Sequence, residues 1–168
     1  YWVAPITNEE LEVLDKKINP VFKNALAHYF LAYIDGKIVG RIAALINWVE
    51  VNDLKKKKVR FGWFDFIDNK EVSKALLKKV REIGIKNDLE FIEGPVGFSN
   101  MDKAGMLIKG FEKKNTMITL YNHAYYKDHM INHGYNKLAE WVEYELQIAN
   151  YNDAPEKIKK FSGFCIFL

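Results

Sequence analysis

Asp35-Gly36 lies between two β-prone runs, and no other feature constrains the fold of this chain as strongly. Residues 28–34 (HYFLAYI) and 37–51 are rich in aliphatic and aromatic side chains. An Asp-Gly step between such runs supplies two residues that tolerate the positive φ a tight hairpin turn demands. The expectation is an antiparallel hairpin, and therefore a sheet. Residues 59–67 (VRFGWFDFI) add a third strand. Under strict alternation Val59, Phe61, Trp63, Asp65 and Ile67 share one face, with Phe64 and Phe66 on the other. Both faces are largely apolar, which predicts a central strand covered on both sides.

A helix follows. Asp68 or Asn69 is placed to cap it, and Val72, Ala75, Leu76, Val80 and Ile83 recur at helical spacing up to about Asn87. Lys70, Lys74, Lys78 and Arg81 take the solvent side. Residues 89–93 (LEFIE) then read as a strand, so strand, helix and strand in succession predict a crossover and a parallel pair. A shorter helix is expected over residues 8–17, capped by Asn8, with further helical turns over 21–27. Residues 94–110 hold four glycines and a proline around a short helix at 102–109. Residues 116–121 predict a strand, 124–133 a helix stopped by Gly134, and 136–148 a long strand. The class is α/β (α+β): a mixed, mostly antiparallel central sheet flanked by helices.

Composition closes off other classes. With 168 residues, 49% of them hydrophobic, the chain is long enough to bury a core. A single cysteine, Cys165, excludes an internal disulfide framework and a multi-cysteine zinc site. A net charge of +3 is too mild to argue for nucleic-acid binding by itself, which leaves a basic RNA- or DNA-binding module as a third and weaker reading of function, and the four consecutive lysines at 55–58 read as a solvated loop. No apolar run approaches the roughly 18 residues of a membrane span, and no signal segment is visible, so the expected compartment is the cytoplasm. The chain opens at Tyr1 and ends on the apolar run 164–168, so both ends are read as truncated or covered. The tail is expected to pack on this domain, on a partner such as a second copy, or on a second domain beginning near residue 150.

The order of elements, with Asp35-Gly36-Lys37-Ile38-Val39-Gly40, the capped helix from Lys70 and the Asn122 to Tyr135 segment closing in Gly134-Tyr135, resembles the GNAT family of N-acetyltransferases. Asn19-Pro20, the run 40–44 (GRIAA) and Gly94-Pro95 bring it nearest to a poorly characterised bacterial group of that kind. The resemblance spans about residues 1–146, a GNAT-like domain over 1–149 with a linker and terminal segment over 150–168. It implies a first strand and helix ahead of Tyr1, acetyl-CoA as cosubstrate, and a small-molecule or peptide amine as acceptor. It assigns the donor to Phe66, Ile67, Lys70, Ser73 and Asn122. Asp65, Glu93 and Tyr126 are the candidate catalytic groups; Asn100 and Asp102 are candidate acceptor-site residues.

These positions also have plainer readings. Asp65 inside an apolar strand is expected to be desolvated, which raises a carboxylate's pKa and makes it a better base. Without a ligand role it is a hydrogen-bonded strand carboxylate. The family's glycine-rich phosphate turn is replaced by Asp68-Asn69-Lys70-Glu71-Val72-Ser73, whose residue types also suit an ordinary helix cap. Met130 stands where many relatives carry a proton-donating tyrosine. Tyr125, Tyr126 and His129 lie close by on the same helix. His129 and His133 have the i, i+4 spacing of a metal pair but lack an accompanying acid, so no metal is expected. Two functions follow: an N-acetyltransferase using acetyl-CoA or another acyl-CoA, or a GNAT-fold module that has lost catalysis and serves ligand binding or assembly.

Overall fold

A computed structural model describes residues 1–144, and the chain divides into compact units at Asn136/Lys137. In the first unit the elements run α1 (Thr7–Leu14), a 3-10 turn (Pro20–Lys23), β1 (Ala25–Ile34), β2 (Lys37–Asn47), α2 (Trp48–Asn52), β3 (Lys58–Phe66), α3 (Lys70–Lys86), β4 (Phe91–Glu93) and α4 (Tyr125–Asn132). The sheet order is β1-β2-β3-β4. β1–β2 and β2–β3 are antiparallel, and β3–β4 is parallel. This is the mixed, mostly antiparallel sheet that the pattern predicts.

The hairpin turns where Asp-Gly requires it, with φ of 49° at Asp35 and 75° at Gly36. α3 begins at Asn69, whose Oδ1 accepts the N–H groups of Glu71 (2.9 Å) and Val72 (3.4 Å). The helix buries Val72, Leu76, Leu77 and Val80 against Ile42, Val59, Phe61, Phe64 and Phe66. A second, smaller cluster on the other face joins Ala27, Ala43, Leu45 and Phe98 with Trp63 and Phe22.

The strict alternation expected along β3 fails at one place. Arg41 pairs with Asp65, but Ala43 pairs with Gly62, so β3 carries an extra residue there. Trp63 takes φ of 45°, a left-handed conformation unusual for a bulky side chain. A bulge of this kind shifts the phase of every residue beyond it. Val59 and Phe61 before it, and Phe64 and Phe66 after it, therefore join one core cluster under α3. Trp63 and Asp65 go to the other face, Asp65 into the open.

Other expectations are corrected. α1 starts at Thr7 and ends at Leu14, with no side-chain cap from Asn8. The turns expected over 21–27 shrink to the 3-10 turn because β1 already starts at Ala25. β2 stops at Asn47, whose side chain accepts from Val49 N and Glu50 N and starts α2. Residues 102–109 form no helix: Asp102 turns back to accept Ser99 N–H at 2.7 Å, and Gly105 N donates to Pro95 O. Residues 116–121 form no strand, because Asn115, Thr116 and Thr119 bond one another locally and compete with sheet pairing. No strand forms over 136–144. The rest of that expected strand, the linker, the 155–161 helix, Cys165 and the apolar run 164–168 lie outside the described residues.

Candidate functional site

The C-terminal end of β3 borrows its neighbour from a segment distant in sequence. Beyond Asp65 the outer edge of β3 meets α4 rather than a strand. Phe66 N–H donates to Tyr126 Oη (3.2 Å), and Tyr125 Oη donates to Phe66 O. Two phenol hydroxyls on successive residues thus complete the bonding of one strand residue. Beside this junction opens a groove of about 610 Å³, lined in part by Trp2, Ile38, Arg41, Asp65, Ile67 and Tyr126.

Five of the residues singled out from sequence line this groove: Asp65, Phe66, Ile67, Asn122 and Tyr126. Their states differ. Asp65 is a little over half exposed and its Oδ2 accepts from Arg41 Nε at 2.6 Å, so the desolvation expected of it is absent. Tyr126 is buried, and that burial, with the Asp65 charge adding to it, pushes its phenol well above the usual tyrosine range. A phenol so held keeps its proton and gives it up reluctantly. Burial, then Asp68 and Asp65, also push Tyr125 up. Asn122 is buried and braces the glycine-rich segment: its Oδ1 accepts Leu107 N–H at 2.7 Å, and its Nδ2 donates to Leu107 O and His123 O.

Lys70 lines an adjoining pocket of about 380 Å³ with Asp68, Tyr125, Asp128 and His129. The start of α3 fits a pyrophosphate poorly. Its Glu71 and Val72 amides are already taken by Asn69, and Asp68 and Glu71 add negative charge. Ser73 is fully buried. Its hydroxyl lies 2.8 Å from both His129 Nδ1 and His133 Nε2 and 3.1 Å from Lys70 O, while His129 Nε2 lies 2.9 Å from Asp68 Oδ1. The i, i+4 histidines therefore clasp α3 to α4 through a serine. Burial, and the neighbouring His129, hold His133 below the ordinary imidazole range.

Glu93, Asn100 and Asp102 do not line the groove. Glu93 and Asn100 belong to a buried charge cluster at the other end of β3. Arg60 Nη2 bonds Glu50 Oε1 (2.6 Å) and Asn100 Oδ1 (2.7 Å), and Lys58 Nζ bonds Glu93 at 2.9 and 3.1 Å. Asp102 holds its own turn and packs on Gly97. Sequence reasoning missed Arg41, the partner of Asp65, because the pairing depends on strand register. It also missed that both tyrosines, not one, grip Phe66. Among the described residues no group of three or more His, Cys, Asp or Glu side chains is arranged to hold a metal ion. No helix among them is long and apolar enough to cross a membrane.

Comparison with known proteins gives two distant relatives of greater length. The chain is 29% identical over 146 residues to Protein YghO of Escherichia coli K12, covering 84% of this chain and 37% of that protein. It is 25% identical over 156 residues to the bacterial ceramide synthase of Caulobacter vibrioides, covering 92% of this chain and 40% of that protein. No family model matches the chain, and no solved structure does. The chain thus spans about two-fifths of the length of the curated relatives it matches.

Proposed function

We propose that this chain carries an N-acyltransferase site, moving an acyl group from acetyl-CoA or another acyl-CoA to an amine. The observation that carries the reading is the groove at the β3–α4 junction, where Asp65, Phe66, Ile67, Asn122 and Tyr126 converge. The similarity to a ceramide synthase over most of the chain supports it, because a ceramide is an N-acyl amine.

In this reading the amine nitrogen attacks the thioester carbonyl carbon. A C–N bond forms, the tetrahedral intermediate collapses, and the C–S bond breaks to release the thiol of coenzyme A. Asp65 draws the ammonium into the groove and takes its proton, and the departing thiolate is protonated from solvent. Arg41 keeps Asp65 oriented. Tyr125 and Tyr126 hold the end of β3 in place beside the groove. Most of the acceleration comes from holding amine and thioester together. No step relies on the start of α3 as a pyrophosphate cradle.

That same capped start of α3 favours a second reading, a GNAT-fold module that binds or assembles without catalysis. A thermal-stability titration tests whether the donor binds, and amide formation separates catalysis from binding alone. Acetyl-CoA at about 100 times its dissociation constant adds roughly 2.7 kcal/mol to a protein that binds it. A rise of several degrees with acetyl-CoA and desulfo-CoA, absent with ATP, is the expected result. No rise with any acyl-CoA favours the non-catalytic module.

A further inference from the structure

Among the described residues, Arg41 and Asp65 are the only Lys, Arg, Asp or Glu side chains that line the groove of about 610 Å³. They face each other across β2 and β3. Their bond uses one atom of each, with Arg41 Nε donating to Asp65 Oδ2 at 2.6 Å. Among the described residues, Arg41 Nη1, Arg41 Nη2 and Asp65 Oδ1 have no hydrogen-bond partner. Both side chains are a little over half exposed, and an ion pair so open to water adds little to stability. The fold nevertheless departs from regular strand geometry to make it. Without the extra residue in β3, alternation would turn Asp65 to the face that α3 covers; Trp63, at φ of 45°, lies in the bulge that absorbs it. Backbone strain of this kind gathers at binding sites.

The open atoms describe a ligand. The two Nη groups of a guanidinium suit a carboxylate taken end-on by parallel hydrogen bonds. Asp65 Oδ1 suits an ammonium. A simple amine meets Asp65 alone, and by neutralising it leaves Arg41 without a counter-charge in the groove. A simple acid does the converse. An α-amino acid carries both charges, joined through one carbon, and the two groups that would receive them already touch. Trp2, Ile38 and Ile67 line the same groove and are exposed, which offers a surface to an apolar side chain.

We infer that the acceptor is a free α-amino acid with an apolar side chain, its carboxylate on the Nη groups of Arg41 and its ammonium at Asp65 Oδ1. The amino acid's fate rests on the acyl-transfer reading, but its binding is testable by itself. The ammonium gives one proton to Asp65, and the freed nitrogen forms the C–N bond as the C–S bond breaks. The second proton it then sheds balances the one the thiolate takes up, and Asp65 returns its own to solvent. The products are an N-acyl amino acid and coenzyme A. Arg41 thus recognises the acceptor as well as orienting Asp65.

The test is calorimetric titration with L-leucine, with L-leucinamide, which lacks the carboxylate, and with 4-methylpentanoate, which lacks the ammonium. A hydrogen-bonded charge contact at a solvated site is worth roughly tenfold in affinity, so leucine should bind about tenfold tighter than either. Arg41→Gln, checked for unchanged melting, should bring leucine down to the level of leucinamide, and Arg41→Lys should restore part of the preference. Leucinamide or 4-methylpentanoate binding as tightly as leucine to the unaltered protein overturns the inference, as does no measurable binding of leucine. A leucine preference that survives Arg41→Gln overturns it too. Acyl transfer to 3-methylbutylamine and leucinamide as fast as to leucine also overturns it and leaves the acyl-transfer function standing. Leucine binding with the expected preference but without transfer supports the site and removes the acyl-transfer function.

Discussion

Arg60→Met tests how the sheet is joined to the glycine-rich segment. Arg60 is 1% exposed, and its guanidinium reaches Glu50, Asn100 and Gly97 O, with Glu93 3.7 Å away. Its Nε has no hydrogen-bond partner among the described residues, so the side chain is held by its two terminal nitrogens alone. Breaking a buried ion pair from one side costs about 3–5 kcal/mol, because a charge is left uncompensated. Here Lys58 Nζ stays 3.1 Å from Glu50 and 2.9 Å from Glu93, which softens the loss. The expected cost is therefore about 3 kcal/mol, near the low end of that range. For a chain of this size it lowers Tm by roughly 10 °C. Urea unfolding followed by circular dichroism reads it directly. Adding Glu50→Gln removes the surplus carboxylate, the second one sharing Lys58, and leaves Lys58 with Glu93. The double variant should regain at least about 1 kcal/mol over Arg60→Met alone. An Arg60→Met loss under about 1 kcal/mol, or a double variant less stable than the single by the full Glu50→Gln cost, refutes the reasoning.

Other consequences are equally specific. Asp65→Asn should lower turnover about a hundredfold at unchanged donor KM, while stability moves by less than about 0.5 kcal/mol because the Arg41 pair is open to solvent; unchanged turnover removes Asp65 as the proton acceptor. Gly94→Ala puts a Cβ 2.5 Å from Phe61 O, a backbone atom that cannot swing aside, and should cost about 2–3 kcal/mol in the same unfolding assay; a wild-type Tm would contradict that packing. His133 sits low in the folded state, so the unfolded chain binds its proton first as pH falls. Its contribution is whole above an imidazole's ordinary pKa of about 6.5 and is lost as pH drops through the lower folded value. Tm measured from pH 7.5 to 5 should fall, and His133→Gln should flatten part of that fall; an identical slope in the variant removes the histidine clasp as a cause.

Local chemistry made much of this fold readable. Asp35-Gly36 demands a turn, and Asn69 ahead of an apolar stripe demands a helix, because each signal lies within a few residues of what it specifies. The bulge at Trp63 has no such signal. It arises from pairing β3 with both β2 and the core, and it moves Asp65 from the expected apolar setting to the groove wall. The strand expected at 116–121 failed because Asn115, Thr116 and Thr119 bond one another locally instead of pairing with the sheet. In the candidate site, Asp65, Phe66, Ile67, Asn122 and Tyr126 were identifiable by resemblance. Arg41 and the Asp68–His129–Ser73–His133 chain were not, since those contacts span dozens of residues. Glu93 was singled out as a candidate base at a strand end and Asn100 as a polar loop residue; Lys58 accounts for the first and Arg60 for the second.

The most direct test is to incubate the protein with acyl-CoA donors and an amine panel running from ethanolamine to long-chain amino alcohols. Thiol release is followed in parallel with mass-spectrometric detection of the amide. The account predicts stoichiometric thiol and amide, and a large loss with Asp65→Asn. Folded protein that binds an acyl-CoA but yields no amide with any amine would contradict it.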